Sequence, residues 1–263
     1  MSPAPIPFRA KVFIMGLLED QIAVVTGAAA GIGRGIADLF AKEGAIVYLL
    51  DIDEKGVNAA AEEIRESGAT VHAFASDISR RETIEPAIND ALERYGRIDV
   101  VVNNAGIYPR RTFDEMTEAE WDETQNVNVK GIFHMTKLVL PHMRARRSGK
   151  IVNISSVTFH IGYPRLTHYV ASKGAILGFT RSLAREIGPD NVHVNAVTPG
   201  AIETEGEKVH ANPDDIVQIM EEQCLRRRIL PLDVARVCLF LACELSDGMT
   251  GQTVNIDGGL VTY

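Results

Sequence analysis

Five apolar residues that run straight into a glycine-rich turn and then into a helical pattern restrict this chain more than any other feature. Ile22-Ala-Val-Val-Thr26 shows no polar alternation, which suits a strand buried on both faces of a sheet. Thr26-Gly27-Ala-Ala-Ala-Gly31-Ile-Gly33 follows, and Ile36, Ala37, Phe40 and Ala41 then recur at helical spacing. Strand, glycine turn and helix in that order let main-chain amides at a helix N-terminus approach a pyrophosphate, because small residues do not hold it off. Gly27, Gly31, Ile32 and Gly33 are the candidate contacts in this turn.

The unit repeats along the chain. Ile46-Val-Tyr-Leu-Leu50 reads as a second strand that stops at Asp51, eighteen residues beyond Gly33. An acid there is suited to accept hydrogen bonds from an adenosine ribose, or to cap the helix expected over residues 54–67. Residues 70–75 predict a third strand, with Asp77 and Ile78 just beyond it. Asp77 suits either the cap of a helix over residues 82–95 or contact with an adenine edge. Val100-Val-Val102 ends in Asn103-Asn104-Ala105-Gly106, where paired amides tie loops together and line a cofactor channel, or simply make a turn. Residues 118–147 read as one long helical region holding Asn128 in an apolar stretch, where an unpaired amide is costly. It either serves backbone groups in the core or holds a water beside the site. A fifth strand over residues 150–154 delivers Ser155 and Ser156 at its carboxyl end, the edge where open α/β sheets bind ligands. Residues 193–197 form a sixth strand before Pro199-Gly200, residues 232–242 are helical, and residues 253–256 are a last strand. Between Ala201 and Arg228 the periodicity loosens, which suits a mobile lid.

This alternation predicts an α/β fold, one domain over residues 18–263 built as a doubly wound parallel sheet with helices on both faces. Residues 1–17 read as a loose tail in which Met15 is an alternative start. The hydrophobic fraction of 46% and charged fraction of 24% exclude a disordered or fibrous chain. A formal net charge of −8 argues against nucleic acid or an anionic membrane as partner. Cys224, Cys238 and Cys243 lack metal-ligand spacing and read as buried thiols in a reducing, cytoplasmic setting, with no metal site.

Tyr169 and Lys173 stand four apart, so their side chains share one helix face. A phenol with an ordinary pKa near ~10 costs about 4 kcal/mol to use as a base at neutral pH. The Lys173 ammonium, joined by a cationic cofactor ring, is expected to lower that pKa by roughly 1–3 units.

With these motifs in order, the chain resembles the short-chain dehydrogenase/reductase family from about Leu18 onward, with a Rossmann-like fold. The resemblance rests on Thr26–Gly33, Asn103–Gly106, Asn128, Ser156, Tyr169-Val-Ala-Ser-Lys173, and Pro199-Gly200 followed by Thr204. It implies that Ser156 hydrogen-bonds the substrate oxygen, that Tyr169 exchanges its proton, and that Lys173 tunes the tyrosine and holds the nicotinamide ribose. Asn128 is implied to support a proton-relay water. The family spacing selects Ser156 over Ser155. Ile202 and Thr204 are expected at the nicotinamide carboxamide, beside Pro199 and Gly200, with Asp77, Ile78, Asn104, Ala105 and Gly106 along the cofactor. Asp51, with no basic compensation from Ala30 or Ile52, favours NAD over NADP, and Arg34 is the one reservation. Tyr108, Thr158, His160, Tyr163 and residues 203–210 are expected at the substrate, a small hydroxylated molecule such as a secondary alcohol, polyol or sugar. Arg226–Arg228, folded over the pocket, would favour an anionic group on it. The family also implies a homo-oligomer, a tetramer. The alternatives are a catalytically silent dinucleotide sensor or scaffold on the same fold, and an epimerase or dehydratase, which the roughly sixty residues after Gly200 are too few to complete.

Overall fold

The computed structural model describes residues 16–210 and 213–262, so the reading of residues 1–15 lies outside them. Leu17 and Leu18 already donate backbone hydrogen bonds to Glu43, one to its carboxylate and one to its carbonyl, each 3.0 Å long. Leu17, read from the sequence as part of the tail, is thus attached to the loop after α1.

The chain alternates as expected through β1 (Ile22–Thr26), α1 (Gly31–Lys42), β2 (Ile46–Asp51), α2 (Glu54–Arg65), β3 (Val71–Ala75), α3 (Arg81–Tyr95) and β4 (Val100–Asn103). The second half holds α4 (Glu118–Gln125), α5 (Gly131–Arg146), β5 (Gly149–Ile154), the short α6 (Thr158–Ile161), α7 (Thr167–Ile187) and β6 (Val192–Pro199). It ends with α8 (Glu205–His210), α9 (Pro213–Glu222), α10 (Pro231–Ala242) and β7 (Thr253–Ile256). The strands form one seven-stranded parallel sheet in the order β3-β2-β1-β4-β5-β6-β7.

Strand β1 lies in the interior of the sheet, third from the β3 edge, and is buried along its whole length. Its side chains alternate between two cores. Ala23 and Val25 join Ile36, Phe40 and Val234 on the face covered by α1 and α10, while Ile22 and Val24 join Ile84, Met135 and Met143 under α3 and α5. An unbroken apolar run is what two covered faces require, and each such side chain gains about 1.5–3 kcal/mol on burial. The order reverses between β1 and β4, because β1 pairs with β2 on one side and β4 on the other. Loops leaving these strands diverge there and open a crevice at the carboxyl ends.

Two stretches depart from the sequence reading. The region 118–147 is not one α-helix: residues Asn126–Lys130 form a π-helical turn between α4 and α5, a device found mostly at functional sites. Apolar periodicity does not reveal a one-residue insertion of that kind. The loosened stretch after Ala201 contains two helices, α8 and α9.

Candidate active site

A cleft of about 1220 Å³ runs across the carboxyl ends of the strands. One end is walled by the glycine turn. Gly27 has φ +65°, and a side chain there would meet the Ala105 backbone at 2.9 Å. A side chain at Gly33 would lie 2.0 Å from the Gly27 carbonyl oxygen. Gly33 is accordingly buried behind the turn and does not line the cleft, a correction to its expected contact; its role is close packing of α1 on the turn. Helix α1 has no side-chain cap and no acidic residue in its first turn, so its leading amides await an external acceptor. An anionic pyrophosphate fits that end, with Gly31 and Ile32 facing the cleft.

Thr26, which sequence reasoning did not single out beyond its motif, is the hub of this wall. Its hydroxyl accepts from the amides of Asn104 and Ala105 at 3.0 and 3.1 Å. The Asn104 side chain donates to the carbonyls of Thr26 and Gly27 at 3.0 and 3.1 Å, so the asparagine does tie the two loops together.

Asp51 reaches the cleft from the tip of β2. One carboxylate oxygen accepts from the Ala29 amide and the other from the Asp53 amide, each at 3.0 Å. It does not cap α2; Asp53 does, accepting from the Gly56 amide at 3.1 Å. Ile52 beside it is 75% exposed and brings no charge. Arg34 is held by Asp38 and Glu63, each at 2.8 Å. Asp77 lines the cleft and accepts from the amide and hydroxyl of Ser79, ahead of α3 and not capping it. Ile78, Ala105, Gly106, Pro199, Gly200, Ile202 and Thr204 also line the cleft. The Thr204 hydroxyl accepts from the Glu207 amide at 3.1 Å and so starts α8.

At the cleft floor, α7 is fixed to the sheet by a buried polar chain. Asn103 donates to Asn153 at 2.8 Å, and Asn153 donates to Thr180 at 2.9 Å. Ser155 donates to the Lys173 carbonyl at 2.8 Å and is thereby occupied as an anchor. Ser156 accepts from the amide and hydroxyl of Thr158 at 3.2 and 3.0 Å and stands beside the Tyr169 phenol. Both serines line the cleft.

Electrostatics at this floor differ from the expectation. Burial pushes the Tyr169 phenol up to about 12, with the neighbouring Ser156 hydroxyl pulling in the opposite direction. Lys173 stands beside the phenol ring. Its ammonium sits 5.5 Å from the centre of the tyrosine ring and donates to the Ile154 carbonyl at 2.9 Å. Burial lowers the Lys173 pKa to about 8. A lysine near 10.5 when unfolded and near 8 when folded weakens the fold below pH 8, and the penalty is relieved as pH rises between these values. Lys173→Met is expected to stabilise the protein at pH 7 by about 3 kcal/mol at most, the gain fading toward pH 10. Calorimetric Tm at the two pH values checks this.

Asn128 sits in the π turn behind the floor and does not line the cleft. Its Oδ1 accepts from the Ile107 amide at 2.8 Å, while its Nδ2 donates to the Ile107 carbonyl and to the Ser172 hydroxyl, each at 2.9 Å. The π turn thus aims one amide at the loop after β4, and Asn128 is a positioning residue there. Asn128→Ala leaves both Ile107 groups unpaired and is expected to cost about 2–4 kcal/mol, measured by urea unfolding.

At the substrate end, Tyr108, Thr158 and Tyr163 line the cleft, with the Tyr108 ring 6.0 Å from that of Tyr169. His160 does not. The short α6 turns Thr158 and Ile161 inward, three residues apart, and leaves His160 against Phe159 at 5.2 Å. Arg226–Arg228 are also absent from the lining. Arg227 is paired with Asp233 at 2.8 Å, and Arg228 lies between Glu203 and Glu207. A cation the sequence reading passed over, Arg110, does line the cleft. Among the described residues, no three His, Cys, Asp or Glu side chains are placed to hold a metal ion, and no helix is long and apolar enough to cross a membrane.

Residues 27–261 match the family model described as enoyl-(acyl carrier protein) reductase. A 3-oxoacyl-(acyl-carrier-protein) reductase of Thermotoga maritima is 40% identical over 249 residues, covering 93% of this chain and 99% of the relative. A probable galactose dehydrogenase of Rhizobium meliloti is 37% identical over 245 residues, covering 92% and 96%. Among solved structures, levodione reductase superposes with a TM-score of 0.88 at 30% identity, covering 94% of this chain and all of the other. With this fold and these matches over nearly its full length, the chain belongs to the short-chain dehydrogenase/reductase family of oxidoreductases, which use a nicotinamide cofactor.

Proposed function

We propose that this protein is an NAD-dependent dehydrogenase that oxidises the carbinol carbon of a small hydroxylated molecule, a secondary alcohol, polyol or sugar, or reduces the matching carbonyl. The observation that carries this reading is convergence: Ser156, Tyr169 and Lys173 meet at the floor of the cleft whose far wall is the glycine turn and Asp51. A bound nicotinamide dinucleotide supplies hydride transfer and, when oxidised, a positive ring. Gly27, Gly31, Ile32, Asp51, Asp77, Ile78 and Asn104 to Gly106 would hold its adenosine and pyrophosphate portions. Lys173, Pro199, Gly200, Ile202 and Thr204 would hold its nicotinamide half.

The chain's own chemistry is orientation and proton transfer. Ser156 donates to the substrate oxygen and Tyr169 takes or gives its proton. Lys173, when charged, favours the phenolate electrostatically. The polar lining from Ser156, Thr158 and Tyr163 supports a hydroxylated substrate, and the name of the probable galactose dehydrogenase supports a sugar or polyol. Residues 201–228, with α8 and α9 beside the cleft, would act as its lid.

We take the active form to be a homo-oligomer, a tetramer, in the cytoplasm, without a nucleic-acid or membrane partner. The exposed small side chains of Ala171, Ala175 and Gly178 along α7, and exposed Phe133 on α5, support such packing. Turnover of an alcohol, polyol and sugar panel with NAD tests the activity. Absence of NADH formation across that panel, with NADH still bound, would instead support the silent sensor. Sedimentation at micromolar concentration tests the assembly, and a monomer there removes it.

A further inference from the structure

We propose that Arg110 binds an anionic substituent of the substrate, a carboxylate or a phosphate ester, so that the hydroxylated substrate carries an acid group. This rests on the dehydrogenase reading and narrows its substrate class.

Arg110 lines the cleft two residues after Tyr108, whose ring lies 6.0 Å from that of Tyr169, so it belongs to the reacting end. Its loop is pinned on both sides of it. Asn128 holds both backbone groups of Ile107, and the Arg111 amide donates to the Arg165 carbonyl at 2.9 Å. The guanidinium lies over the Tyr163 ring, 5.4 Å from its centre, a contact that holds the group without neutralising it.

Its charge is otherwise unanswered. Among the described residues Arg110 makes no ion pair, and its Nε is buried without a hydrogen-bond partner. The adjacent Arg111 is paired with Glu120 at 2.6 Å. In a chain with 35 acidic and 27 basic residues, an arginine in a cleft without a carboxylate partner is not explained by scarcity of acids. A buried guanidinium donor left unpaired is costly, and a planar fork of donors matches a carboxylate or phosphate. Glu207 also faces the cleft, but Arg228 pairs with it, and burial raises its pKa. Asp122, Glu123, Asp215 and Glu222 line the cleft as well, so an incoming anion has Arg110 and the buried Lys173 as its cations in an otherwise acidic lining.

The test compares matched pairs, β-hydroxybutyrate with its methyl ester, mandelate with methyl mandelate, and glycerol phosphate with glycerol, using saturating NAD. The unmodified protein is expected to favour the anion in at least one pair. In Arg110→Met the anion-to-neutral ratio of kcat/KM should fall about 10–100-fold, the reach of a charge-assisted hydrogen bond, and Arg110→Lys should restore part of it. A carboxylate pair or the phosphate pair responding alone separates the two anions. Preference for the neutral member in every pair, or a ratio unchanged in Arg110→Met, overturns the proposal. So does a raised KM for NAD at constant ratio, which would put the guanidinium on the cofactor. If no compound is turned over, calorimetric titration with the three anions separates the two readings. Binding lost in Arg110→Met keeps the anion site while removing the dehydrogenase, and no binding removes the site.

Discussion

Tyr169→Phe is expected to lower kcat by about 10²–10⁴-fold while leaving Tm and NADH affinity nearly unchanged, because it deletes one hydroxyl and no packing. The phenol lies beside Ser156 at the cleft floor and is the group proposed to exchange a proton with the substrate oxygen; Lys173 instead donates to the Ile154 carbonyl. Its pKa also sets the sign of the pH dependence. A phenol pushed up to about 12 is protonated at neutral pH and ready to donate, so carbonyl reduction should stay nearly level from pH 6 to 7.5. Alcohol oxidation needs the phenolate and should rise with pH over the same range. Above pH 8 the loss of charge at Lys173 should blunt that rise, since the ammonium that favours the phenolate is titrating. In Tyr169→Phe the residual oxidation should show no such slope. More than about one tenth of kcat retained, with the slope intact, would mean that the proton travels through another group.

The parts of this site that were legible in the sequence are those in which one local segment carries both the structure and the chemistry. The turn from Thr26 to Gly33, Asp51 at the end of an apolar run, and Tyr169 with Lys173 on one helix face need no long-range information, and the cleft gathers them because parallel strands end together. What stayed hidden depends on how a helix is wound or on what lies opposite. The π turn that aims Asn128 at Ile107 leaves the apolar pattern of residues 118–147 almost intact. The placing of His160 outside the cleft follows from α6, whose four residues are too few to show a period. Gly33 and Gly27 look alike as letters, yet one packs a helix and the other faces the cleft. The three arginines at residues 226–228 stood out as a cluster, but the acids that compensate Arg228 lie more than twenty residues away at Glu203 and Glu207. Arg110, unremarkable beside Arg111, lines the cleft without an ion pair among the described residues, while Arg111 pairs with Glu120.

Cofactor choice is expected to favour NAD over NADP by at least about a hundredfold in kcat/KM, through Asp51. The carboxylate is held in place by the Ala29 and Asp53 amides and is relieved of helix capping by Asp53, so it can accept from ribose hydroxyls at the cleft. A phosphate in the same position meets a like charge. At an effective dielectric of 20, two like charges about 4 Å apart repel by roughly 4 kcal/mol, against the roughly 2.8 kcal/mol that a hundredfold ratio requires. The compensating cation that an NADP enzyme needs is missing nearby, since Arg34 is engaged by Asp38 and Glu63 and Ile52 is apolar. Asp51→Ala should therefore shrink the ratio mainly by weakening NAD, both through the lost acceptor and through release of the Ala29 amide that shapes the glycine turn. Adding Ile52→Arg to that variant should then raise NADP use, because a guanidinium enters at the exposed edge of the cleft where the phosphate would lie. Steady-state kcat/KM for both cofactors in the three proteins decides the matter. Equal values in the unmodified protein, or an unchanged ratio in Asp51→Ala, would mean that this carboxylate only braces the turn and reads no ribose.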